Sequence, residues 1–188
     1  MAEIQDWSSM RGMMERLLKK RTGEDLAVWN ERVRQLQPTS ENTLRIWLKE
    51  QGVTGYAQSL LVMETFGYPA YLTTSADELI KAQYADRPQL RPIFDAIIGA
   101  ASGLGVVTVQ ARKTYVSLLT PRRTFARIQP TTRNRIDLAL RLEKPKADVR
   151  LVPSRIHETM KWQLGLSTMA DLDDEALDYL QQAYQVNV

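Results

Sequence analysis

An α+β protein is what the sequence predicts, and three observations predict it. Apolar residues recur every three or four positions from residue 3 to residue 66, the period of amphipathic helices. From Val106 onward the period falls to two, most cleanly where Ile136, Leu138, Leu140 and Leu142 alternate with Arg135, Asp137, Ala139 and Arg141. Charge changes with the period: residues 111–161 carry 13 basic and 4 acidic side chains, against 10 basic and 12 acidic in residues 1–86. The expected architecture is an N-terminal four-helix domain over 1–70 and a linker with a short helix over 71–87. An α+β domain follows over 88–188, an antiparallel meander sheet packed by N- and C-terminal helices.

Each element has its own signals. Residues 3–20 place Ile4, Trp7, Met10, Met14, Leu17 and Leu18 on one helical face, with Lys19, Lys20 and Arg21 at the negative end of the helix dipole. Leu26, Trp29, Val33 and Leu36 predict a second helix that stops before Pro38. Ser40 caps a third, carrying Leu44, Trp47 and Leu48 and ending at Gly52. Thr54 caps a fourth, with Ala57, Leu60 and Leu61 inward, closed by Gly67 and Pro69. Trp7, Trp29 and Trp47 are expected in the core of this domain. Ser75 caps the short helix of the linker, and Pro88 opens a longer one with Leu90, Ile93, Phe94 and Ile97 inward, broken by Gly103 and Gly105. Strands are expected at 106–110, 113–119, 125–128 and 135–142, with turns at 120–123 and 130–134. Two more strands are expected at 149–152 and 156–162, and a last helix from Asp171 to about Val186.

Composition and motif content exclude much. The chain has 188 residues, 44% of them apolar and 25% charged, which is a globular balance with room for a core. It has no cysteine, so disulfides, thiolate nucleophiles and cysteine-bound metals are out. No signal peptide is evident, and the longest apolar window, Ile93 to Leu104, is short and broken by Asp95. A cytoplasmic location away from membranes is expected. No phosphate-cradling glycine loop or nucleophile elbow is present, and His157 is the single histidine. Asp171, Asp173 and Asp174 sit where a helix begins, which favours capping over metal binding. A helix-turn-helix over 41–66 would read DNA with residues 54–66, which hold no Arg or Lys and only Gln58 to reach a base. Neither a catalytic constellation nor a cofactor or metal is expected.

The basic meander is what remains. Arg112, Lys113, Arg122, Arg123, Arg133 and Arg135 are the proposed ligand-contacting cations, with Tyr115, His157 and Trp162 beside them. Arginine matches phosphate with two parallel donors, and aromatic rings stack on bases. The expected partner is therefore nucleic acid or another polyanion. The solvated outer positions of a half-buried sheet would carry the same charges. Two further readings stand beside this one: a small anionic ligand held between the domains around His157 and Trp162, and a homodimer paired through an open sheet edge.

Two stretches also resemble known families. Residues 13–66, with KKRTGEDLAVWNERV and IWLKEQGVTGYAQSLLV, resemble a small helical bacterial domain of unknown function. Thr22-Gly23, Trp47-Leu48-Lys49 and Gly52 to Ala57 carry that likeness, with Tyr56 where many members have histidine. Residues 87–185, with RPQLRPIFDAI, KTYVS, TFARIQP, IDLALRL and a closing helix from Leu177 to Tyr184, resemble a second domain of unknown function. That domain also ends proteins labelled as predicted transport or nuclease-associated. The resemblance implies a two-domain bacterial cytosolic protein and carries over no catalytic residue.

Overall fold

Capping residues set several helix ends where the sequence places them. In the computed structural model, which describes residues 3–5, 7–143 and 150–188 (side chains from Met10 onward, except Tyr71), Ser40 Oγ accepts the Thr43 N–H at 3.2 Å. Ser75 and Glu78 form a reciprocal capping box. The order is β1 (Glu3–Gln5), α1 (Trp7–Thr22), α2 (Leu26–Leu36), α3 (Glu41–Glu50), α4 (Gly55–Phe66), α5 (Ala70–Thr73), α6 (Ala76–Gln83) and α7 (Arg91–Ser102). Then come β2 (Thr108–Ala111), β3 (Val116–Leu119), β4 (Thr124–Thr132), β5 (Arg135–Leu140), β6 (Val152–His157), β7 (Met160–Leu166) and α8 (Asp174–Gln185). The expected core place of the Trp7 side chain and the expected strand start at Val149 lie outside the described residues.

The helices α1 to α5 form one compact unit, and β1 with everything from Ser75 onward forms another. The stretch read as a linker is thus shared: α5 ends the helical unit, while α6 buries Ile80 and Tyr84 in the core of the sheet unit. The N-terminus also differs from the single helix expected over 3–20, because residues 3–5 are a strand.

In the helical unit Leu18, Trp29, Val33, Leu44, Leu48, Val53 and Leu61 meet in one core. Trp29 and Trp47 pack edge to face at 6.1 Å, a contact worth about 1 kcal/mol beyond its area. The Trp29 indole N–H donates to Thr22 Oγ1 at 3.0 Å, so the ring is buried without an orphaned donor. Gln58, the one base-reading candidate of a helix-turn-helix, donates instead to the Arg45 carbonyl at 2.9 Å.

A polar network ties α1 to α4 in the same unit. Arg11 Nη2 donates to Glu64 Oε1 at 2.9 Å, Asn30 donates to Oε2 at 3.3 Å, and the Tyr68 hydroxyl donates to Oε1. Burial works to raise the Glu64 carboxyl, but the Tyr68 and Arg11 donors outweigh it and hold it below the ordinary carboxylate range. The stabilisation is therefore complete above the unfolded value of about 4.3 and is lost as pH falls through the lower folded value. Glu64→Gln should cost about 1 kcal/mol at neutral pH, and the gap from the parent should close in acid. Urea unfolding of both proteins at pH 7 and pH 3 checks this; an unchanged gap contradicts it.

The sheet unit has seven strands in the order β1-β2-β3-β4-β5-β7-β6. All neighbours are antiparallel except β1, which runs parallel to β2. Cross-strand partners share a face, so the register sorts the side chains. One row runs Val109, Leu118, Ala126, Leu140 and Trp162, and another Val116, Ile128, Leu138 and Leu164. These rows form a single core with Ile93, Phe94 and Ile97 of α7 and Tyr179, Leu180 and Ala183 of α8. The α+β expectation holds: an antiparallel meander is packed by helices that precede and follow it. Gly105 lets Tyr184 approach closely, since a Cβ there would stand 2.4 Å from its hydroxyl and the backbone has φ +139°.

Candidate functional site

The opposite sheet face takes the other half of the alternation. One row runs Gln110, Ser117, Arg127, Ala139 and Gln163; the next pairs Gln129 with Asp137 and Asp137 with Gly165. The small side chains form its floor, Ser117 5% and Ala139 0% exposed. Arg141 follows on the same face, because Leu140 and Leu142 on either side of it both enter the helix-packed core.

The arginines here fall into two kinds. Arg135 is neutralised: Nη2 donates to Asp137 Oδ2 at 3.3 Å, and Nε lies 2.9 Å from Oδ1 as an ion-pair contact poorly angled for a hydrogen bond. Asp137 is only 2% exposed, and Gly165 opposite it leaves room for the Arg135 chain, which a Cβ would meet at 2.9 Å. Arg150 is likewise neutralised by Asp173 at 3.0 Å and Glu175 at 2.9 Å. Asp173 also caps α8 by accepting the Ala176 N–H, as its place at a helix start predicts.

Arg127 and Arg141 are of the other kind. The Arg127 guanidinium lies 4.6 Å over the Tyr115 ring, and its buried Nε has no hydrogen-bond partner among the described residues. Arg141 is pushed below the ordinary arginine range, first by burial and then by the charge of Arg123. Arg123 also buries an Nε that has no hydrogen-bond partner among the described residues. It stands on the β3–β4 turn beside the exposed Arg122.

Asn187 secures the elements that carry Arg123 and Arg141. Its side-chain amide donates to the Arg141 carbonyl at 2.9 Å and to the Ala183 carbonyl at 2.7 Å. Its own carbonyl accepts from the Thr120 hydroxyl at 2.7 Å. The Thr120 Oγ1 in turn accepts the N–H groups of Arg122 and Arg123 at 3.2 Å each.

The remaining candidates are scattered. Arg112 donates to Gln110 Oε1 at 2.9 Å, and Lys113 is exposed on the β2–β3 turn. Arg133 stands exposed at the tip of the β4–β5 hairpin, where Gln89 grips its carbonyl at 2.7 Å and Arg87 grips those of Pro130 and Thr132. Trp162 pairs with Leu140 and so points to the helix-packed side, across the sheet from Arg127. His157 ends β6 and uses Nδ1 to accept the Thr159 N–H at 3.2 Å, bracing the β6–β7 turn. Glu158 lies in that turn rather than on the continuous strand expected over 156–162. The structure therefore brings Tyr115 and Arg123 into the neighbourhood of Arg127 and Arg141, and it separates Trp162, His157 and Arg133 from them. Arg127 and Arg141 lie outside the six cations that charge alone suggests, although the alternation that hides Leu140 and Leu142 assigns Arg141 to the face opposite the core.

Among the described residues no group of acidic or histidine side chains could hold a metal ion, and no helix is long and apolar enough to cross a membrane. The fold and this face define an α+β sheet-and-helix domain with guanidinium groups on the side of the sheet opposite α7 and α8. Residues 80–187 match the family described as a domain of unknown function, DUF5655, and the chain belongs to that family. No curated protein and no solved structure matches it.

Proposed function

We propose that this chain is a non-enzymatic binding protein whose sheet face opposite α7 and α8 contacts an extended polyanion, nucleic acid first among the candidates. The observation that supports it is a pair of cationic centres that have no acidic partner among the described residues. Arg127 leans over Tyr115 and pairs across the sheet with Ala139, two residues along the chain from Arg141, which feels the charge of Arg123. The cations thus follow one another along the sheet, an arrangement that suits a chain of phosphates. Guanidinium groups match phosphate oxygens with parallel, charge-assisted donors. The reading extends to a bacterial, cytoplasmic protein in which the helical unit is a second domain, as the family resemblance implies.

Polyanion binding releases counterions, so its affinity should fall steeply and linearly on a log–log plot against salt. Fluorescence anisotropy of a labelled mixed-sequence oligonucleotide, titrated at 20, 50, 100 and 200 mM salt, measures this. Binding that is absent at 20 mM, or insensitive to salt, rejects the proposal.

A further inference from the structure

We infer that the nucleic acid this face accepts is single-stranded, with an unpaired base stacked on the Arg127–Tyr115 pair; the inference rests on the polyanion reading above and narrows its ligand. Three features of the face carry it. First, α7 and α8 pack the other side of this sheet, so neither is placed to enter a duplex groove from this face. Second, neutral amides lie beside the cations. Gln129 and Gln163 flank the buried floor of Ser117 and Ala139, the one carboxylate of the row, Asp137, is paired with Arg135, and amide donors and acceptors match the exposed edges of unpaired bases. A duplex laid on this sheet would turn its phosphates to the face and leave those amides unused. Third, the Arg127 guanidinium lies over the half-buried Tyr115 ring at 4.6 Å, so a base stacks on the outer side of that pair, against a guanidinium backed by the ring. Stacking beside a cationic track is how proteins hold single strands without reading their sequence.

The test compares a labelled 12-mer single strand, a hairpin duplex of the same composition, and heparin as a competitor that has no bases. Anisotropy is read at 100 mM salt for the parent, Tyr115→Leu and Tyr115→Phe, with circular dichroism confirming that both variants fold. The single strand should bind about tenfold more tightly than the duplex. Tyr115→Leu should weaken the single strand about tenfold, Tyr115→Phe should restore it, and heparin competition should be the same in all three proteins. Duplex binding equal to or tighter than single-strand binding overturns the inference, as does a Tyr115→Leu protein that binds the single strand normally. Either result leaves the polyanion reading standing if heparin and duplex still bind. Loss of all three ligands from the parent overturns both.

Discussion

Replacing Arg127 and Arg141 together by glutamine is expected to weaken oligonucleotide binding on the order of 100-fold while leaving the unfolding midpoint nearly unchanged. On the proposed reading each guanidinium lost would remove a charge-assisted contact to phosphate, and neither has an acidic partner among the described residues that would be stranded by its loss. The salt slope should become shallower by about 1 to 2, since fewer counterions are released. Arg135→Gln should do the reverse. It leaves the Asp137 carboxylate, 2% exposed, without its cation, at a cost of about 2 kcal/mol after allowance for the exposed outer part of Arg135. Its effect on binding should be small. Anisotropy and urea denaturation on the same preparations separate the two. Equal losses of binding and stability in all variants would mean that Arg127 and Arg141 serve only the fold.

The second large effect is expected at Asn187, 2% exposed. Asn187→Ala strips hydrogen bonds from the carbonyls of Arg141 and Ala183 and leaves both without that donor. The combined cost is about 3 kcal/mol, a large share of the stability of a domain this size. Because the Thr120 hydroxyl still finds the backbone carbonyl of residue 187 when the helix end stays docked, Thr120→Val gives an independent check. It should loosen the turn that carries Arg122 and Arg123, and amide exchange at those two N–H groups should accelerate. Unaltered exchange there, with Asn187→Ala unfolding at the parent midpoint, would remove Asn187 from its structural role.

Several elements were legible because their signals are local. Ser40 and Ser75 announce helix starts through bonds to residues three positions on, and the clean alternation of 135–142 fixes which side of β5 meets the helices. Other features rest on partners far along the chain. Pro130 reads as a turn because it cannot donate to a neighbour, yet β4 runs through it to Thr132, with the register to β5 slipping at that point. The helix at 76–83 reads as linker because Ile80 and Tyr84 acquire a purpose only against strands that follow much later. β1 is three residues long and pairs with a strand about a hundred positions away, so no periodicity could reveal it. The candidate site divides in the same manner. Charge drew attention to the meander, but whether an arginine is neutralised depends on Asp137, Asp173 and Glu175, and only the fold shows which arginines those acids reach.

The parallel pairing of β1 with β2 makes the helical unit an insertion: the chain leaves the sheet at Gln5 and rejoins the same unit at Ser75. The two units are therefore joined by two covalent crossings instead of one. A fragment beginning at Ser75 would keep the whole family-matched segment and still lose a neighbour, baring the backbone N–H and C=O groups of Thr108–Ala111 along the sheet's margin. Bare strand margins recruit other strands. Cutting this protein at its apparent domain border would thus yield a piece prone to self-association, and an oligomer seen with that piece would be a product of the cut.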